Sequence, residues 1–369
     1  MKKLNSKVPK IPLTFRSGLL VVVLFFVISC VKNESFIEPY SVPDTYDFEN
    51  KDSSATARLI MMYGLRNYLR MGADAQIDTA IVDSLWLNRG RPFTAALVPD
   101  FIYADSNLNK MTISLITGTT NTDTMMAFAD SAALNSQFFN RAAGDGIAGT
   151  MTVAQPVSEK KLFSKDGVVF DEVWFAAMLG SMAMNNAFTQ LGATGTTMAQ
   201  AWNLAFAYTG LPTNYDPSTN YNAQPAPRVR PLGISAYFGN EAKAAGTGPE
   251  IFEEFRRGRS AVGVGDSRVS NASLTSLRFN IEKTLAAAAV FYLNAARQYT
   301  DLASRLNAIS KAYGLMIGLK QEAASSTLTD EAYWQIREVF NERFYVLAQD
   351  ASQAQLNEVI SLLSEAYDL

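Results

Sequence analysis

FDEVWFAAMLGSMAMNNAFTQL, residues 170–191, decides the fold, because this stretch is apolar nearly all the way round a helix. Val173, Trp174, Met178 and Leu179 leave no continuous polar face. A helix that is hydrophobic on every side is buried by its neighbours. The stretch therefore predicts a helix at the centre of a helical bundle.

Helical patterns continue on both sides of this stretch. Apolar residues recur at spacings of three and four, as in Leu59, Met62, Tyr63 and Leu69, and alternating β-branched runs are few. We therefore predict an all-α fold of packed helical bundles, with strands confined to short pieces near one long irregular insertion. The predicted helices cover about residues 53–72, 122–142, 170–191, 197–208, 251–258, 272–298, 300–319, 329–347 and 353–367.

The insertion, residues 215–248, is long and irregular, rich in Pro, Gly and Asn. It is a candidate lid or domain boundary, and a boundary between two bundles would fall within residues 212–250. The predicted organisation is a signal peptide at 1–29, a tether at 30–52 and a helical domain at 53–369.

The N-terminus has the features of an exported lipoprotein precursor. Basic residues from Lys2 to Arg16 precede an uncharged run at residues 18–29. Twelve helical residues rise only about 18 Å, too short for a membrane core of roughly 30 Å. The run ends at Cys30, the only cysteine, in a lipobox-like sequence. We expect lipidation at Cys30 and a lipid-anchored protein at the outer membrane or cell surface, facing either side.

Composition excludes several function classes. The chain has no histidine, which removes Ser-His-Asp catalysis and His-ligated zinc or iron. A net charge of -3 and a pI near 5.3 argue against a nucleic-acid partner. We predict no enzyme activity, no cofactor and no tightly bound transition metal.

Several blocks in order along the chain resemble a Bacteroidota lipoprotein family known as domain of unknown function 4856, itself similar to imelysin-like helical proteins. In that family, residues 198–208 would carry ionisable side chains around Trp202. Here Asn203 and Leu204 stand in that segment, and Lys311 replaces an expected Glu. The resemblance thus implies a polar centre that is lost or neutral in this chain. The blocks are residues 42–50, 56–59, 146–149, 198–212, 252–262, 292–294 and 310–314.

Two groups of residues on the predicted helices are candidate binding sites. Asp171 and Glu172 suit the N-terminal dipole of the central helix, or alternatively supply oxygen ligands to a hard cation. Trp202, Asn203 and Tyr208 would line a half-apolar pocket, unless Trp202 is packed in the core.

Arg256, Arg257 and Arg259 form a third candidate group. Their ordinary role is a solvated helix end, where arginines favour the last carbonyls. The alternative is an anion site, because guanidinium groups match carboxylates and phosphates.

Three function classes follow. The first is a non-catalytic lipoprotein that binds a small ligand or an envelope protein. The second is a glycan- or nutrient-binding lipoprotein beside an outer-membrane transporter, which an exposed aromatic platform in the insertion would favour. The third, a hydrolase using carboxylates, is disfavoured by the missing histidines.

Overall fold

A computed structural model describes residues 37–48, 53–98, 122–219, 232–319 and 326–369. The chain divides into two units, Met1–Pro39 and Tyr40–Leu369, and nearly all described residues lie in the second. Its helices and strands confirm the predicted mainly helical fold. They are α1 (Ser53–Arg70), α2 (Thr79–Leu87), α3 (Thr122–Asn135), β1 (Gly149–Val153), β2 (Glu159–Phe163), α4 (Phe170–Asn185), α5 (Met198–Thr209), α6 (Thr247–Val264), α7 (Ser267–Gln298), α8 (Leu302–Leu319), α9 (Asp330–Val339), α10 (Phe344–Gln349) and α11 (Ala354–Tyr367).

The centre of the unit is the pair α4 and α8. Every residue of α4 from Asp171 to Met184 is buried, as its all-round hydrophobicity predicts. α7 packs against α8, with α6 and α11 against α7, while α1 and α3 lie against α4. α5 contacts both α1 and α6, so it connects the first helix to the second half of the chain.

Glycines allow α4 and α8 to approach closely. A Cβ atom on Gly318 would lie 2.7 Å from Gly180 Cα, and one on Gly314 would lie 2.4 Å from Val173 O. Because Gly314 faces Val173 and Gly318 faces Gly180, the two helices run parallel. No side chain other than hydrogen fits at this crossing.

The two strands form one antiparallel hairpin in which Met151 pairs with Lys161. The hairpin precedes α4, whereas the sequence analysis placed strands near the insertion, so that expectation is wrong about their position. Strand β2 matters for the site below because it presents Lys161, which is buried, towards the start of α4.

The structure differs from the predicted helices at several places. Residues 79–87 form a helix that periodicity missed, begun by Asp78, whose side chain accepts from Ala80 N. The helix predicted at residues 329–347 is two helices, because Arg343 is extended, with a ψ of 134°. The helix predicted at 251–258 continues to Val264.

Gly210, before the insertion, contacts Gly233 inside it. Gly210 ends α5 in the left-handed region, with a φ of 73°. A Cβ atom on Gly210 would lie 2.1 Å from Gly233 N, so the chain leaves and returns at one point. Tyr63 fixes the return by donating a hydrogen bond of 3.0 Å to Leu232 O.

Candidate functional site

Asn203 lies at the centre of the contacts around α5. Its side chain is buried, and Oδ1 accepts hydrogen bonds from Arg259 Nε at 3.0 Å and from Tyr46 OH at 3.2 Å. Arg259 also lies over the Phe48 ring, 4.7 Å from its centroid. The structure therefore brings two predicted site residues together, but their partners belong to the chain's own N-terminal segment.

That segment, residues 40–48, is called the docked segment below. The Tyr46 ring stacks on Phe206 with centroids 3.7 Å apart, and Tyr46 N donates to Thr213 O at 2.7 Å. Burial raises the pKa of Tyr46. Residues 40–48 of the segment predicted as a tether thus pack on α5 and α6, and they occupy the surroundings of Asn203 that the sequence suggests for a ligand.

Trp202 and Tyr208 have different roles. Trp202 is buried against Phe255, and a Cβ atom on Gly258 would lie 2.1 Å from its ring. Its role is core packing. Tyr208 OH accepts a hydrogen bond of 2.6 Å from Arg58 Nη1, which joins α5 to α1.

The three arginines do not converge. Arg259 points to Asn203, Arg257 is exposed and lies 3.5 Å from Glu254, and Arg256 Nη1 donates to Pro43 O at 2.7 Å. Because α6 continues to Val264, all three also lie within the helix. The structure therefore contradicts the predicted helix end, and the contacts described for the three guanidinium groups are with different partners.

Asp171 and Glu172 open α4 and bind cations of the chain itself. Lys161 Nζ lies 2.6 Å from Glu172 Oε1 and 3.1 Å from Asp171 Oδ2, and Arg66 Nη2 lies 2.8 Å from Glu172 Oε2. Both carboxylates remain in the first helical turn, as the dipole interpretation requires. Their oxygens form ion pairs with Lys161 and Arg66.

The electrostatics of this buried network favour the ionised forms. Burial alone would raise the pKa of Glu172, but Arg66, Lys311 and Lys161 outweigh burial and hold it well below its usual range. Burial alone would lower the pKa of Arg66, but Glu172 and Asp171 outweigh it and the pKa is raised. Arg66 also stacks over Phe175, 3.9 Å from the centroid.

Lys311 extends the network towards α7. Its Nζ lies 5.1 Å over the ring of Tyr292, whose hydroxyl donates to Glu241 Oε1 at 2.8 Å. Burial lowers the pKa of Lys311, against the opposing effect of Glu172. Lys311, one of the two positions where the resemblance implies lost polarity, thus lies beside a buried set of ion pairs formed by Lys161, Arg66 and Glu172. Sequence reasoning missed Arg66 and Lys161 because no local pattern links them to α4.

A surface groove lies beside the docked segment and is called the α6 groove. It has a volume of about 510 Å³ and is bordered by Asp44, Tyr215, Pro217, Pro249, Phe252 and Arg256. The remaining contributors are the carboxylates of Glu250, Glu253 and Glu254 on α6. Arg256 thus belongs to the groove and also holds Pro43.

Two further features concern only the described residues. Within them, no cluster of three or more acidic or cysteine side chains has the arrangement of a metal site. None of the described helices combines the length and apolar character needed to cross a membrane.

The fold and these contacts define an all-α protein with a buried ion-pair network and an open aromatic groove. Residues 183–348 match the family model described as Domain of unknown function (DUF4856). The resemblance to that family is thereby confirmed for this part of the chain, which includes α5, α6, α7 and α8. No curated protein and no solved structure is significantly similar to the chain.

Proposed function

We propose that this protein is a non-catalytic binding protein of the cell envelope that holds a small ligand in the α6 groove. The observation that carries the proposal is the groove itself. Its volume of about 510 Å³ falls within the range of roughly 300–1,000 Å³ of small-molecule sites. Two aromatic rings and two prolines line it beside five charged side chains, so the groove combines apolar contact area with polar groups that can orient a ligand.

The remaining parts of the proposal rest on sequence. A lipid on Cys30 would hold the protein at the outer membrane or cell surface, and Cys30 lies outside the described residues. The order of the sequence blocks supports an imelysin-like arrangement of the helices and a Bacteroidota lipoprotein relationship. An alkyne fatty acid should label the wild type and not Cys30→Ala, and equal labelling of both would end the anchor proposal.

The binding proposal is tested with the full-length protein in detergent. A panel of amino acids, amines, sugars and carboxylates is screened by thermal shift, and hits are measured by isothermal titration. A hit should weaken in Tyr215→Ala, because this half-buried ring borders the groove, and should not weaken in Glu358→Gln, on α11. Absence of any hit, or hits insensitive to Tyr215, would refute the groove as the ligand site.

A second candidate is binding of a glycan or nutrient next to an outer-membrane transporter. Tyr215 favours it, since the insertion places a partly exposed aromatic ring at the groove, and sugars stack on such rings. In that case neutral sugars should be the hits of the same screen, and a transporter should co-purify with the lipidated protein.

A further inference from the structure

The charges of the α6 groove are unbalanced. Four carboxylates, those of Asp44, Glu250, Glu253 and Glu254, share the groove with one guanidinium group, that of Arg256. Arg256 is already bonded to Glu253 and lies 3.9 Å from Asp44. The groove therefore has a surplus of negative charge at its rim.

One of these carboxylates has an unused oxygen. Glu254 Oε1 lies 3.5 Å from Arg257, while Oε2 is buried and has no hydrogen-bond donor among the described residues. A buried acceptor without a donor costs free energy. Because this oxygen is closed to solvent, it adds negative charge beside the groove without contacting a ligand directly.

The floor of the groove is aromatic. The rings of Phe252 and Tyr215 meet edge to face, with centroids 5.6 Å apart. Arg256 lies over Phe252, 5.0 Å from its centroid. The chain's own cation therefore already uses the combination of ring and carboxylate that attracts organic cations, and Tyr215 offers a second ring.

We infer that the ligand of the α6 groove is a small organic cation, an ammonium group on a short apolar stem. The inference rests on the proposed function and names its ligand class. The ammonium group neutralises the surplus carboxylates at Glu250 and Glu254, and the stem covers Tyr215 and the groove prolines. A neutral sugar would leave the surplus charge uncompensated.

A second groove of the same molecule provides a control. It has a volume of about 450 Å³ and is lined by Glu338, Glu342 and Glu358 together with polar neighbours. This lining contains three carboxylates but no aromatic ring. If carboxylates alone attracted the ligand, both grooves would bind it.

The experiment compares ligands that differ only in charge. The full-length protein in detergent is titrated with choline, with 3,3-dimethyl-1-butanol as its neutral isostere, with butylamine and with glucose. We expect choline and butylamine to bind, with affinities at least about fivefold above the neutral isostere, as a cation over an aromatic ring implies. Binding should weaken as the salt concentration rises.

Three variants assign the site. Glu250→Gln and Tyr215→Ala should each weaken choline binding by about threefold to fivefold, whereas Glu358→Gln, in the second groove, should leave it unchanged. Circular dichroism verifies that each variant is folded, and Glu250 is exposed, so its substitution leaves the core intact.

Each other outcome overturns a definite statement. Glucose binding that depends on Tyr215 but not on Glu250 would overturn the inference that the ligand is a cation, and it would leave the proposed function unchanged. Choline binding that Glu358→Gln weakens equally overturns the site. If none of the four probes binds, the inference that the ligand is an organic cation is wrong. If the thermal-shift panel described above also gives no hit, the proposed function is wrong as well.

Discussion

Replacing Glu172 by Gln tests whether the buried network stabilises the fold. The side chain of Glu172 is 4% exposed and accepts from Lys161 at 2.6 Å and from Arg66 at 2.8 Å. The amide keeps the shape of the carboxylate but loses its charge. Two buried cations then lose their shared anion.

The expected loss of unfolding free energy depends on the interactions that Lys161 and Arg66 keep in the variant. Removing one partner of a buried ion pair costs about 3–5 kcal/mol. Lys161 retains Asp171 at 3.1 Å, and the Arg66 side chain is 18% exposed and stacked on Phe175. These remaining interactions put Glu172→Gln at the lower end, about 3 kcal/mol.

The pH dependence has a definite sign. Because the folded pKa of Glu172 is lowered, its contribution is present above its ordinary pKa of about 4.5 and is lost as pH falls through the folded value. The difference between wild type and Glu172→Gln should therefore shrink in acid. Glu365→Gln, an exposed substitution on α11, serves as the control and should change the free energy of unfolding by no more than about 0.5 kcal/mol.

The assay is urea and thermal denaturation followed by circular dichroism and tryptophan fluorescence at pH 7 and at about pH 3, well below the ordinary pKa of Glu172. For a unit of roughly 330 residues, unfolding entropy is about 0.7 kcal/mol per kelvin, so the melting temperature should fall by about 4 °C. A loss below about 1 kcal/mol, or one equal to that of Glu365→Gln, would refute the reasoning.

Three further predictions concern packing, pH and the docked segment. Gly318→Ala should lower the free energy of unfolding by about 1–3 kcal/mol in urea denaturation, because the new Cβ would lie 2.7 Å from Gly180 Cα. In the control Gly263→Ala the new Cβ would lie 3.7 Å from Arg259, so the free energy of unfolding should rise by about 0.5–1 kcal/mol. Equal effects of the two substitutions would contradict the close crossing of α4 and α8. Burial raises the pKa of Glu282, so the stability of the wild type should decline as pH rises from about 4.5 through the folded pKa. In urea denaturation at several pH values, Glu282→Gln should show a smaller decline. If the stabilities of the two proteins change in parallel with pH, Glu282 is not the cause. Tyr46→Ala should lose about 3 kcal/mol and speed protease cleavage within residues 40–48, measured by mass spectrometry; unchanged cleavage would show that the ring does not hold the segment.

The central helix was predictable because its signal is local. α4 is apolar all round, and this property requires burial whatever the partners are. The buried ion-pair network was not predictable, because Arg66 and Lys161 precede Glu172 by 106 and 11 residues and reach it from a helix and a strand. The spacing of apolar residues along the chain does not predict a contact between residues so far apart.

Gly258 shows how a local signal can mislead. The sequence analysis ended a helix at this glycine, since glycines commonly follow the last helical turn. In the structure Gly258 lies inside α6, and its missing side chain makes room for the Trp202 ring. The arginines beside it were consequently assigned to a helix end that does not exist.

The docked segment determines where a mechanical load enters the protein. A pull on the chain before Tyr40 first reaches the hydrogen bond from Tyr40 OH to Asp266 Oδ2, then the bond from Arg256 to Pro43 O, and then the bond from Tyr46 N to Thr213 O. The receiving residues belong to α6, to the start of α7 and to the segment after α5, all far along the chain from α1. Tension at the N-terminus is therefore borne by the second half of the sequence before it reaches α1, and the first helix is protected from unravelling from its end.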